Sequence, residues 1–272
     1  FIFFRKFISE IFLISLISII GTIYLYETYA TYKISYLNSS KNKPKEYDNR
    51  NKFELYESLK KKNKNTALVV PPSILKSKNE NIYHFSGISN SKTIHCNESG
   101  YYAVFDSDKY GFNNPKNRWD VSEIEYLLVG DSFTLGACVN RPYDIASQLE
   151  NKNISVLNLG YTASGPLTQY AILKEFFKPK IKKVVWIYFE GNDLLDLQLE
   201  FQSSLLKKYI TNLNYSQKLI DKQKEIDQVS KQLIINEKNY FLKNFLKLGN
   251  LRNFIKRYIF NKNTIISTKI DE

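Results

Sequence analysis

The 272-residue chain has no methionine, and it has only two cysteines and two histidines. The missing methionine, with Phe1 at one end and Thr268 to Glu272 at the other, leads to the expectation of a fragment open at both ends. The other two shortages restrict chemistry. Cys96, Cys138, His84 and His95 lie at no spacing that builds a zinc site, so no metal is expected. Zinc-finger spacing, RNP-like motifs and basic heptads are also missing. The net charge of +12 is carried by lysines spread through loops and helix faces, so no nucleic-acid partner is expected; the charge reads as compositional bias, with attraction to anionic lipid as the alternative. No G-x-G-x-x-G occurs. Gly160 and Gly165 have the glycine spacing of a phosphate loop, but Pro166-Leu167 replace the residues that would hold phosphate and magnesium. Nucleotide binding has no support, and no cofactor is expected.

What is present is enough to fold. A hydrophobic content of 43%, with 15% aromatic, argues against disorder, and the length allows one sizeable domain with appendages. Phe7 to Tyr26 is mostly apolar, interrupted by Glu10, and close to the ~20 residues that cross a bilayer as a helix. Arg5 and Lys6 precede it, which by the positive-inside tendency keeps the N-terminus cytoplasmic; Lys33 and Lys41 on the other flank weaken that orientation. A cleavable signal peptide competes, but the apolar core is long for one and no small-x-small site follows Leu25-Tyr26. A buried helix of a soluble protein is the structural alternative. The expectation is an uncleaved single-pass anchor over 1–33, with the rest extracytoplasmic, periplasmic in a bacterial source. In that oxidising setting Cys96 and Cys138 can pair; two unpaired buried thiols fit equally well.

Residues 34–122 read as a lysine-rich linker, most evident to about Asn65, followed by a turn-rich extension of short strands. The pattern changes at Ile124. "IEYLLVG" (124–130), "ISVLNLG" (154–160) and "KKVVWIYFEGND" (182–193) are apolar on consecutive positions, as strands buried on both faces of a parallel sheet are. Helical stretches separate them, at about Pro142 to Asn151 and Gly165 to Phe177. The expected fold class is α/β over 123–200, three-layer α/β/α with a parallel sheet, incomplete, preceded by the transmembrane helix. Residues 201–272 read as a helical segment that packs on the sheet, caps the site or lies on the membrane, with "TIIST" (264–268) as a further strand.

In open α/β sheets ligands sit at the carboxyl ends of strands, and there three turns converge: Gly130-Asp131-Ser132, Gly160 to Gly165, and Gly191-Asn192-Asp193. Ser132 offers a hydroxyl and a backbone N–H, Gly160 an N–H with no Cβ in the way, and Asn192 a neutral amide donor. Each also has a local role: helix cap, tight turn and Asx-turn. Thr134 replaces the second glycine of a G-x-S-x-G elbow, so an α/β-hydrolase turn does not fit.

The constellation "GDSFTLG" (130–136), "NLGYTASGP" (158–166) and "EGNDL" (190–194) resembles the SGNH/GDSL hydrolase family. The resemblance covers roughly residues 124–197. It implies a flavodoxin-like SGNH core and Ser132 as nucleophile. The oxyanion hole would be formed by the Ser132 and Gly160 N–H groups and the Asn192 amide. The implied reaction is ester hydrolysis or acyl transfer through an acyl-serine. Asp131 and Asp193 would organise their turns. The family's Asp-x-x-His block is missing, because both histidines precede the serine. The expectation places that base beyond Glu272; a substitute role for His84 or His95, or an inactive relative, are the alternatives. The expected substrate is an acyl or acetyl ester of cell-envelope glycan or lipid. The rival is a membrane-tethered glycan-binding or scaffold protein without turnover.

Overall fold

The computed structural model describes residues 2–39, 47–76, 81–178 and 180–256. The protein is mixed α/β. Its elements are α1 (Ile2–Ser39), α2 (Lys52–Lys62), β1 (Thr66–Leu68), β2 (Ser73–Lys76), β3 (Asn81–His84), β4 (Lys92–Ile94), β5 (Val104–Asp106) and β6 (Ile124–Val129). They continue as α3 (Ser132–Leu135), α4 (Ile145–Glu150), β7 (Val156–Asn158), α5 (Pro166–Phe176), β8 (Ile181–Trp186), α6 (Asp193–Glu200), α7 (Ser204–Thr211) and α8 (Gln223–Leu246). A short helical segment, 249–256, follows. Contacts divide the chain into two units, one of Phe1–Lys43 with Asn236–Glu272, the other Pro44–Ile235. The strand expected at 264–268 lies outside the described residues.

In the first unit, α1 carries one span, Glu10–Lys33, that is long and apolar enough to cross a membrane. At 1.5 Å per residue, its 24 residues extend about 36 Å, against a hydrocarbon thickness of about 30 Å. Phe12, Leu13, Ile14, Ile17 and Ile19 are all exposed, an arrangement that water disfavours and lipid accommodates. The hydroxyls of Thr22, Thr28 and Thr31 each donate 2.8 Å bonds to the carbonyl four residues earlier, so they impose no unpaired donor on such a setting.

The second unit is built on a three-stranded parallel sheet in the order β7-β6-β8. Each apolar run supplies one strand. Leu127 and Val129 of β6, Leu157 of β7 and Leu159 beyond it pack with Ala171, Ile172 and Phe176 of α5. The turn-rich region adds Phe85, Phe105, Phe112 and Trp119 to the same core, and Phe112 meets Phe176 edge-on with ring centroids 5.0 Å apart. β1-β4-β5 and the β2-β3 hairpin form two smaller sheets.

Two details differ from the sequence reading, and a third selects among its alternatives. The stretch expected as linker holds α2, started by a reciprocal cap in which Asn51 Oδ1 accepts the Glu54 N–H and Glu54 Oε2 accepts the Asn51 N–H. β6 and β7 are buried as expected, but Lys182 to Trp186 of β8 are exposed. The cause is position: β8 has β6 on one side, and among the described residues no strand pairs with its other edge. The start of the helical segment packs into the core, through Leu206, Tyr209, Leu219 and Ile226. The Glu175 carboxylate of α5 holds it there, accepting from the Tyr209 and Ser216 hydroxyls and the Gln217 and Leu219 N–H groups. Burial, then the Glu175 charge, push the Tyr209 phenol well above its ordinary pKa.

Cys96 and Cys138 are disulfide-bonded, with Cα atoms 5.0 Å apart, which settles the alternative left open by the sequence. The bond ties the chain after β4 to the turn after α3 across 42 residues. Loop-closure entropy for that separation is about 4 kcal/mol at 25 °C. The Cys96→Ala/Cys138→Ala protein is therefore expected to lose roughly 2–4 kcal/mol in urea unfolding of the detergent-solubilised chain; a midpoint equal to that of the unsubstituted protein contradicts this role.

Candidate functional site

β6 is the central strand, so the turn bearing Ser132 emerges between the turns that follow β7 and β8. Asp131 is the N-cap of α3, its Oδ1 accepting the Phe133 N–H at 2.9 Å. Ser132 is thereby the first helical residue, not the cap. It is half-buried, and among the described residues neither its hydroxyl nor its N–H has a hydrogen-bond partner.

Close backbone packing brings the turns together. A Cβ on Gly160 would lie 2.5 Å from Thr134 Cβ and 2.6 Å from Leu135 N, so the second turn leaves no space for a side chain against α3. A Cβ on Gly130 would lie 2.1 Å from Thr134 Oγ1 and 2.8 Å from the Ile187 carbonyl, so the first turn lies directly against the exit of β8. Phe133 and Phe189 pack across those two turns in a tilted pair, ring centroids 4.9 Å apart. Asp193 is fully buried and accepts the Phe189 N–H at 2.9 Å, closing the third turn. Burial, then the negative charges of Asp193 and Asp196, raise the Asp131 carboxyl above its ordinary pKa. The electrostatics therefore agree with the geometry that the first and third turns adjoin.

The three expected donors stand differently. The Ser132 N–H is free among the described residues. The Gly160 N–H donates to Asn158 Oδ1 at 2.8 Å. Asn192 opens α6 without a side-chain cap; its Nδ2 donates to Asp196 Oδ2 at 2.6 Å, which leaves one of its two amide hydrogens. Of the three groups, among the described residues, one backbone donor is unpaired, one amide is half-used and one backbone donor is already bonded.

The residue that the sequence reading passed over is Asn158. It is fully buried, with Nδ2 donating to the Thr134 carbonyl at 2.7 Å while Oδ1 holds Gly160. One amide thus joins the serine helix to the second turn. Its own backbone is gripped by Asn114, which accepts the Asn158 N–H at 2.8 Å and donates to the Asn158 carbonyl at 2.9 Å. Asn114 in turn donates to Asp108, which also accepts from Trp119 Nε1 and the N–H groups of Tyr110 and Phe112. Burial raises the Asp108 carboxyl, against the pull of these four donors. An asparagine inside the apolar run "SVLNLG" was the available signal, since a buried polar side chain needs partners.

Neither histidine contacts Ser132. His84 is fully buried with Nδ1 3.0 Å from the Ser86 carbonyl, and burial lowers its pKa to about 4. His95 lies with Nδ1 3.4 Å from Cys96 Sγ, and burial, then Lys52, lower it to about 4. Both are neutral at pH 7. A cavity of about 340 Å³ lies elsewhere, between β5 and the 114–116 turn, lined by Asp106, Asn114, Lys116 and Arg141; none of Ser132, Gly160 and Asn192 borders it.

No family model matches the chain, no curated protein matches it, and no solved structure matches its fold.

Replacing Asn158 by Ala strands the Gly160 N–H and the Thr134 carbonyl in a dry interior, so a loss of roughly 2–4 kcal/mol is expected in denaturant unfolding. Asn192→Ala, at a half-buried turn, is expected to change stability by less than about 0.5 kcal/mol. Equal losses in the two variants would contradict the role given to Asn158.

Proposed function

We propose that the chain belongs to a membrane-anchored serine ester hydrolase or acyltransferase of the SGNH type, with Ser132 as nucleophile. The observation that carries the reading is the convergence of three glycine-bearing turns at the carboxyl ends of β7, β6 and β8, with a serine on the central one that has no partner among the described residues. In this reading the three-stranded sheet belongs to a three-layer α/β/α core, with no strand beside the outer edge of β8 among the described residues. Exposed Val184, Val185 and Trp186 on that strand support it, because parallel strands are ordinarily covered.

The reading implies the following chemistry. Ser132 Oγ attacks an ester carbonyl carbon and forms a C–O bond as its proton passes to a base. The carbonyl oxygen becomes an oxyanion facing the Ser132 N–H and the free hydrogen of Asn192 Nδ2. The Gly160 N–H adds a third bond on releasing Asn158 Oδ1. Collapse expels the alcohol, protonated by the same base, and leaves an acyl-serine; water or a second hydroxyl then takes the acyl group. In this reading neither His84 nor His95 serves as that base, since both are buried and held by other partners. Substrates are acyl or acetyl esters at a membrane surface, in an extracytoplasmic compartment that the disulfide supports.

A second reading, a tethered glycan-binding or scaffold protein without turnover, draws on one specific observation: the Gly160 N–H is already satisfied by Asn158. Fluorophosphonate labelling of the protein expressed from its complete coding region separates the two. The enzyme reading expects a covalent adduct on Ser132 that is lost in Ser132→Ala. Absence of any adduct, together with glycan binding that survives Ser132→Ala, overturns it in favour of the binder.

A further inference from the structure

The unit formed by Phe1–Lys43 and Asn236–Glu272 contains a contact that the ester chemistry does not use. Up to Ile23, the Glu10–Lys33 span is mostly apolar, with Glu10 its one charged residue and no tyrosine; from there it carries Tyr24, Tyr26, Glu27, Tyr29, Tyr32 and Lys33. Tyrosines mixed with charge mark the boundary between hydrocarbon and water. The end of α8 and the segment 249–256 pack at that boundary. Tyr24 donates from its hydroxyl to the Leu246 carbonyl at 3.2 Å and lies 6.0 Å, centroid to centroid, from Phe245. Tyr26 meets Phe254 at 6.1 Å.

Glu27 fixes the arrangement. Among the described residues of α1 whose burial is known, it alone is fully buried. Its two carboxylate oxygens accept the Asn250 N–H at 2.9 Å and the Leu251 N–H at 3.0 Å, capping the first turn of 249–256. Asn250 Nδ2 adds a 2.9 Å bond to Thr31 Oγ1. A carboxylate at this depth of an apolar span is costly unless paired, and here the pairing partner is a second helix.

The segment held there has a composition that suits a membrane surface. Leu246, Phe254 and Ile255 are exposed, as are Lys247, Arg252 and Lys256, and no Asp or Glu occurs from Lys238 to Lys256. We propose that residues 246–256 lie in the membrane–water interface beside the tyrosine-bearing end of α1, and that Lys247, Arg252 and Lys256 bind anionic phospholipid headgroups. Two observations select that occupant. The Glu27 cap and the ring contacts fix the segment to the level where a crossing α1 meets headgroups, and the charge of the segment is of one sign. The proposal rests on α1 being in a bilayer and is independent of the role of Ser132.

The test uses the full chain in vesicles of phosphatidylcholine with and without phosphatidylglycerol, and lipids brominated either near the headgroup or near the chain ends. Phe254→Trp reports the segment and Ile17→Trp reports the anchor, each read against the unsubstituted protein to remove Trp119 and Trp186. The expected result is Ile17→Trp quenched most by deep bromines and Phe254→Trp most by shallow ones. The shallow quenching should fall about twofold or more when phosphatidylglycerol is omitted, or when Lys247→Glu, Arg252→Glu and Lys256→Glu are combined. A quenched anchor with an unquenched Phe254→Trp places the segment in water and overturns the proposal alone. Shallow quenching indifferent to both phosphatidylglycerol and charge reversal overturns the headgroup contact. An anchor quenched by neither lipid overturns the proposal together with the membrane reading of α1.

Discussion

The side-chain amide of Asn158 is the interaction on which the rest of the second unit depends. It bonds to both neighbours of the serine turn at once, to Thr134 on α3 and to Gly160 after β7. Behind it Asn114 and Asp108 carry the constraint into the turn-rich region that precedes the sheet. Every member of this chain is almost fully buried, so each bond is made where water cannot compete and where its loss leaves a bare donor or acceptor. The apolar core around Phe112 and Phe176 surrounds the network and keeps it dry.

That constraint explains why the serine turn can be tight without being strained by its own residues. Gly130 and Gly160 let backbone approach Thr134 from two sides, Asp131 satisfies the first turn of α3, and Asp193 closes the turn on the far side. The acidic side chains at the site therefore organise turns. Ser132 itself is half-buried, its hydroxyl and N–H have no partner among the described residues, and Asn192 uses one of its two amide hydrogens. The disulfide from Cys96 to Cys138 closes the turn beyond α3 from another direction, so the serine helix is held at both ends.

The strands and the long apolar helix were legible because their signals are local: consecutive apolar residues and a span of hydrophobic length. Helix limits were less so; the stretch expected from Pro142 begins at Ile145, where Asp144 caps through the Ser147 N–H. The α2 helix was hidden by a lysine-rich composition, although its Asn51 to Glu54 cap was readable. The exposure of β8 was not, because an apolar run says nothing about how many strands stand beside it. The Asn158 network was beyond local reading for a different reason. It joins residues 24 and 44 positions apart, and no periodicity encodes which buried amide faces which carbonyl. The same holds for Gly160, whose N–H was expected to be free and is taken two residues back.

The central claim is that Asn158 locks the serine helix and the Gly160 turn into one unit. Amide hydrogen exchange resolved by mass spectrometry over peptides spanning 130–137 and 157–164 tests it most directly. The account predicts that the hydrogen-bonded amides of the two peptides are protected and that both peptides lose protection together in Asn158→Ala, while β6 keeps its own. Rapid exchange in either turn of the unsubstituted protein, or loss of protection in one turn alone, would contradict it.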